Sequence, residues 1–128
     1  MIGLLLLAGL AAPPMVVIDE RQTLVREPPP HAGSGMSSAW RMSDAVPNRS
    51  MEFRKRALDP GAAIGLHVLG HDEVYYVVSG TGIVTSDGVQ KPLAPGMAAY
   101  LYRGANVGIA QTGAEPLVLI ISYPVAKP

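Results

Sequence analysis

Short apolar or alternating runs, separated by turn residues about every ten positions, dominate the chain from Met51 onward. Alternation with period two is typical of strands that are buried on one face, and regularly spaced turns are typical of a sandwich or barrel. Asp87 and Gly88 form the clearest hairpin signal, because both residues tolerate the positive φ of a two-residue turn. The pattern predicts an all-β domain over residues 51–128. Its predicted strands are residues 51–58, 63–69, 73–78, 82–85, 89–93, 98–102, 107–111 and 117–123.

The chain before Met51 is organised differently. An apolar run over residues 2–12 is too short to span a membrane but suits the central part of a signal peptide. We therefore expect residues 1–12 to be an export signal and the protein to be periplasmic or secreted. Because no Lys or Arg precedes Arg21, the alternative is a cytoplasmic protein with a hydrophobic N-terminal strand. Residues 13–50 are rich in Pro, Gly and Ser and lack sustained periodicity, which predicts an extended N-terminal arm.

Composition excludes several classes of partner. The 128 residues suffice for a single core, and 10 Lys and Arg balance 10 Asp and Glu, so nothing in the net charge draws the chain to nucleic acid or to an anionic membrane. The absence of Cys removes disulfides, thiolate metal sites and thiol nucleophiles together. We expect a small-molecule ligand, no nucleic acid and no membrane span, and any metal could use only His, carboxylate or amide ligands.

The histidines are the first candidates for chemistry. His31 lies in the Pro-rich segment and is expected to be solvated, whereas His67 and His71 flank a turn and are followed by Glu73. Two imidazoles and a carboxylate suit a divalent transition metal. The alternative is that His67 and Glu73 hydrogen-bond each other inside the fold, which requires no ion.

Two glycine-containing motifs resemble those of the cupins. The first, G-x5-H-x-H-x3-E-x6-G, is matched by Gly61, His67, Glu73 and Gly80. The second, G-x5-P-x-G-x2-H-x3-N, is matched in spacing by Gly96, Gly104, Val107 and Gln111. The resemblance covers about residues 51–123 and implies a cupin-type jelly-roll β-barrel, here with an extended N-terminal segment.

Departures from the family pattern bear on the cofactor. Metal-binding cupins supply three His and one Glu, and the matching positions here are His67, Leu69, Glu73 and Val107. Since two of the four ligands are replaced by alkyl side chains, we expect no family-type metal centre and no cofactor. The alternative is an Fe, Mn or Zn ion that His67, His71 and Glu73 hold.

The alternation of strand faces predicts which side chains line the barrel. If His67 and Glu73 point inward, Tyr75 and Gln111 do so too, and Tyr102 and Arg103 come near the barrel mouth. The expected ligand-binding residues are therefore His67, Glu73, Tyr75, Gln111, Tyr102 and Arg103. A packed core without a ligand is the competing interpretation.

The faces of these strands that point away from the barrel interior are too apolar to be exposed to water. The residues expected to point outward are Ile64, Leu66, Val68, Val74, Tyr76 and Val78. Either the chain's own N-terminal segment or a second copy of the chain is expected to cover them. A homodimer is favoured, because symmetric dimers are the most common assembly.

The resemblance leaves the reaction open, since the cupin fold serves many functions. The leading interpretation is a barrel that holds a small organic ligand, of sugar or organic acid type, as a binding protein or non-metal enzyme. The alternative is a metal-dependent enzyme of isomerase or dioxygenase type that uses His67, His71 and Glu73. A third interpretation is a structural dimer with a filled barrel.

Overall fold

The structure, a computed structural model, describes residues 11–125 and consists almost entirely of β-strands. Two short 3-10 helices, Glu20–Gln22 and Met42–Ala45, lie in the arm. The strands are β1 (Leu24–Glu27), β2 (Ser37–Trp40), β3 (Met51–Leu58), β4 (Ala63–Val68), β5 (Glu73–Ser79), β6 (Thr81–Ser86), β7 (Val89–Leu93), β8 (Ala98–Leu101), β9 (Asn106–Thr112) and β10 (Leu117–Pro124). Among these residues no helix has the length and apolar character needed to cross a membrane.

The strands form two antiparallel sheets that enclose one core. The larger sheet has the order β1-β2-β3-β10-β5-β8, and the smaller has the order β4-β9-β6-β7. Their inner faces contribute Val77, Val107, Leu117 and Leu119, each fully buried. This arrangement confirms the predicted all-β jelly-roll barrel, and the predicted strands match β3 to β10 to within one residue at each end.

The N-terminal arm adds two strands to the larger sheet. β2 pairs with β3, so that Trp40 lies opposite Lys55, and β1 pairs with β2. An ion pair between Arg26 Nη2 and Asp59 Oδ2, 2.7 Å apart, ties β1 to the turn after β3. The arm therefore pairs with the barrel of its own chain. Of the expected export signal, residues 1–10 lie outside the described part of the chain.

One prediction about strand faces is wrong. Ile64 was expected to point outward, but it is buried in the core, whereas Leu66 and Val68 on the same strand are exposed. The pairing of β4 with β9 shifts register between Ile64 and His67, and such a bulge reverses the alternation of faces. The expected outward row is also divided, because β4 and β5 belong to different sheets.

Candidate functional site

A cavity of about 140 Å³ lies between the two sheets on the side of the arm. Its lining comes from the arm and from strands β3, β4, β5 and β10. The lining residues are Pro30, His31, Ala39, Arg41, Arg54, Lys55, Arg56, Ile64, His67, Glu73, Tyr75, Ile121 and Tyr123. Sites for drug-sized ligands occupy roughly 300–1,000 Å³, so this cavity suits a ligand with few heavy atoms.

Arg56 is the most buried cation of this cavity, with 6% of its surface exposed. Its Nη1 donates to Ser37 Oγ at 2.8 Å, and its Nη2 lies 3.6 Å from Glu27 Oε1. Arg41 donates to the same Glu27 carboxylate. Burial lowers the pKa of Arg56, Glu27 raises it, and the nearby guanidiniums of Arg41 and Arg54 lower it further. An anion between these cations would relieve their mutual repulsion.

Arg54 also lines the cavity, and its guanidinium is held there by the carboxylate of Glu52, which is not a lining residue. Its Nη2 donates to Glu52 Oε2 at 3.1 Å, and Glu52 Oε1 accepts from Ser43 Oγ and from Arg49 Nε, each at 2.6 Å. These contacts, the hydrogen bond from Arg49 above all, lower the pKa of Glu52 to about 2. The Arg54 guanidinium lies 5.7 Å from the centre of the Tyr123 ring, and its Nε is buried without a partner among residues 11–125.

Two imidazoles form one wall of the cavity. His67 Nδ1 lies 2.9 Å from the Gly65 carbonyl oxygen, which can only accept, so Nδ1 carries the hydrogen. The His31 ring stacks on His67 with centroids 3.5 Å apart and planes inclined by 6°. Burial, together with His67 and Arg56, lowers the pKa of His31. His31 was expected to be solvated, and the residue is indeed exposed, but its ring also lines the cavity.

Glu73 is the only acidic residue among those that line the cavity, and it is 7% exposed. Burial raises the pKa of Glu73, while its hydrogen bond with Tyr75 and the nearby His71 and His67 rings oppose this shift. The carboxyl lies across the lumen from His67, since β5 and β4 belong to opposite sheets. The predicted residues His67, Glu73 and Tyr75 thus share one cavity.

The other predicted ligand-binding residues lie outside this cavity. Gln111 Oε1 accepts from the Gly61 amide at 2.8 Å, and its Nε2 donates to the carbonyls of Gly113 and Glu115. All of its polar groups are therefore used to fix two turns. Tyr102 and Arg103 are exposed, and the Arg103 amide donates to Asp72 at the barrel rim.

The cationic lining could have been found in part from the sequence. In β3, alternate positions place Glu52, Arg54, Arg56 and Leu58 on one face, and Leu58 is fully buried. Two arginines that share a face with a core leucine signal a buried polar site. His31 and Arg41 give no comparable signal, because they precede any regular alternation.

The donor set does not fit the metal centre of the family. The matching positions Leu69 and Val107 are aliphatic and pack in the core, with 4% and 0% exposure. His71 does not line the cavity; its ring stacks on Tyr123 at 4.3 Å. Within residues 11–125, no group of three or more His, Cys, Asp or Glu side chains gathers around one point. A metal at His67, His71 and Glu73 stays a prediction.

A curated protein is similar in sequence to this chain. The chain is 31% identical over 71 residues to the oxalate-binding protein of Thermotoga maritima, a match that covers 55% of this chain and 59% of that protein. The chain therefore spans about three fifths of the length of this relative.

Solved structures share the fold. A crystal structure of a predicted oxalate decarboxylase from Thermotoga maritima superposes with a TM-score of 0.76 at 24% identity, and the match covers 87% of this chain and all of that one. An RmlC-like cupin from Shewanella frigidimarina gives a TM-score of 0.61 at 25% identity, over 71% of this chain and 78% of that one. The family model of the cupin domain matches residues 55–123, which is more than half of the sequence. The chain belongs to the cupin family.

Proposed function

We propose that this protein binds a small organic acid, as its carboxylate, in the cavity between the sheets and without a family-type metal centre. The observation that carries the proposal is the placement of charge. The guanidiniums of Arg41, Arg54 and Arg56 line the cavity, whereas their anionic partners Glu27 and Glu52 do not.

This charge distribution favours an acid over a neutral sugar. A guanidinium offers a planar fork of donors that matches a carboxylate, and such charge-assisted hydrogen bonds are stronger than neutral ones. The small volume limits the ligand to a few carbon atoms. The name of the curated relative, an oxalate-binding protein, supports the same class of ligand.

Calorimetric titration of chelator-treated protein with oxalate, malonate, acetate and glucose tests the proposal. We expect saturable binding of the acids, weakened by salt, and none of glucose. Arg56→Gln should weaken oxalate binding at least about tenfold, since a hydrogen bond to a charged group contributes roughly 1.5–3 kcal/mol. The matched control is Arg26→Gln, because Arg26 pairs with Asp59 away from the cavity. Binding of glucose in preference to acids, or binding of acids only after metal is added, would contradict the proposal.

We also propose a homodimer. The apolar side chains that support it lie on the outer face of the larger sheet: Phe53, Val74, Tyr76, Val78 and Ile120. Phe53, Tyr76 and Val78 are each more than two-fifths exposed. Apolar residues clustered in this way mark a protein contact more often than free surface.

A further inference from the structure

We propose that the loop over residues 28–33 is a built part of the binding site, and that His31 contacts the bound acid and selects ligands with a second carboxylate. This inference rests on the proposed function, because it concerns the same cavity. It assigns a specificity-determining role to a residue of the N-terminal arm, outside the segment that matches the cupin domain.

The loop has an unusual backbone that places the His31 ring. His31 and Ala32 are consecutive non-glycine residues in the left-handed region, with φ of 62° and 54°. Backbone conformations of this kind are uncommon and cluster at ligand sites. Here they turn the chain so that the His31 ring meets His67 and the cavity.

Glycines at two positions allow the backbone of the loop to lie close against strand β4. A Cβ on Gly33 would lie 2.1 Å from the Ala63 carbonyl oxygen, and a Cβ on Gly65 would lie 1.9 Å from the His31 carbonyl oxygen. Ser34 and Ala63 exchange backbone hydrogen bonds of 3.0 Å. The loop is therefore held on β4 by close backbone contacts at His31 and Gly33, and a side chain at either glycine position would displace it.

The stacked imidazoles offer polar atoms that the protein itself leaves unused. Within residues 11–125, His67 Nε2 and both ring nitrogens of His31 form no hydrogen bond, while His67 Nδ1 is used by Gly65. These nitrogens lie in the same cavity as Arg54 and Arg56. We assign one carboxylate of the ligand to the guanidiniums and the second to an N–H of the His31 ring, because His67 with its hydrogen on Nδ1 leaves Nε2 as an acceptor. Oxalate or malonate therefore binds with more contacts than acetate does.

The first test compares His31→Phe with Trp40→Phe. Phenylalanine keeps an aromatic ring against His67 but removes both nitrogens, and Trp40 provides a control aromatic residue in the same arm that does not line the cavity. In calorimetric titrations, His31→Phe should weaken oxalate binding at least about tenfold and acetate binding less than about threefold. Trp40→Phe should bind both acids as the unaltered protein does.

The second test moves the loop without changing a lining residue. Gly33→Ala should weaken oxalate binding about tenfold or more, because its methyl group displaces the loop. Gly70→Ala is the matched control, since a Cβ there meets nothing within 4 Å. Oxalate binding that is unchanged in both His31→Phe and Gly33→Ala overturns the inference and leaves the proposed function standing. An equal loss for oxalate and acetate overturns the assignment of the second carboxylate, and failure of the unaltered protein to bind any acid overturns both proposals.

Discussion

The imidazole rings of His31 and His67 stack face to face, with centroids 3.5 Å apart. His67 lies on β4 of the barrel, whereas His31 lies in the Pro-rich loop that precedes β2. The contact joins the arm to the lumen, and Arg41, which follows β2, lines the same cavity. The cavity is therefore completed by residues that the family motifs do not contain, which explains why the motifs alone describe only part of the site.

Gln111 is expected to stabilise the fold by joining two turns. Gln111→Ala leaves the Gly61 amide and the carbonyls of Gly113 and Glu115 without their side-chain partner, so the free energy of unfolding should fall by about 2 kcal/mol. Urea unfolding measures this loss. Gln90→Ala, at an exposed position of β7, is the control and should change stability by less than about 0.5 kcal/mol. A Gln111→Ala protein that is as stable as its parent but no longer binds oxalate would assign Gln111 to the ligand instead.

Glu52 should make stability depend on acidic pH. Its hydrogen bond with Arg49 holds the pKa of Glu52 at about 2 in the folded chain, below the value near 4.5 of a free glutamate. Because the folded state binds the proton less readily than the unfolded state, this stabilisation is present above pH 4.5 and is lost as pH falls toward 2.

Unfolding in urea between pH 7 and pH 2.5 tests this expectation. Glu52→Gln should lower stability at pH 7 by about 1–3 kcal/mol, and its stability should then decline less steeply below pH 4.5 than that of the parent. Glu115→Gln, at an exposed position, is the control and should change stability at pH 7 by less than about 0.5 kcal/mol. Parallel profiles for Glu52→Gln and the parent would show that Glu52 does not supply the pH dependence.

The strands of the barrel could be predicted because each is bounded by turn residues and alternates in polarity. β1 and β2 were missed because they are four residues long and because two of the four residues in each strand are polar, without alternation. β2 forms a strand because the edge of β3 is free to pair with it, and β1 then pairs with β2. This is a tertiary effect that a local sequence pattern does not predict. Ile64 was assigned to the wrong face because a bulge between Ile64 and His67 changes the phase of β4, and Gly65 within that interval was taken as an ordinary strand residue.

The candidate site likewise has one part that the sequence predicts and another part that it does not. His67, Glu73 and Tyr75 reach the cavity because strand alternation fixes their faces, and this can be read from the sequence. His31 reaches the cavity because it and Ala32 adopt left-handed backbone conformations in a loop. The sequence Pro-His-Ala-Gly does not predict this conformation. The shape of the arm depends on its contacts with β3 and β4, so its contribution to the cavity needed the folded structure.

Self-association should depend on the outer face of the larger sheet. Tyr76 and Ile120 are register partners on this face, so a charge there would be buried in a dimer without a partner. We expect a dimer by light scattering at micromolar concentration and a monomer for Tyr76→Glu. Leu66→Glu changes an exposed residue on the other sheet and should leave the dimer intact. A dimer that Leu66→Glu disrupts and Tyr76→Glu does not would place the interface on the smaller sheet.

Two aliphatic residues, Leu69 and Val107, occupy positions at which metal-binding cupins have ligands. Val107 is the register partner of His67 in the β4–β9 pair, and Leu69 follows two residues after His67 in the chain. Leu69→His together with Val107→His should therefore add two imidazoles close to His67 and Glu73. Three imidazoles and a carboxylate form a ligand set that suits zinc, manganese or iron.

Calorimetric titration of the parent and the double variant with zinc and manganese salts makes the comparison. The parent should bind these ions weakly, and the double variant should bind them at least about a hundredfold more tightly, because losing even an outer-shell partner costs 10 to 100-fold in affinity. Val68→His with Val78→His is the control: it adds two imidazoles on exposed strand positions of different sheets, and so tests for binding by surface histidines alone. Tight stoichiometric binding by the parent would show that His67, His71 and Glu73 converge on a metal in solution. No gain in a folded double variant would mean that Leu69 and Val107 do not face the site that His67 and Glu73 share.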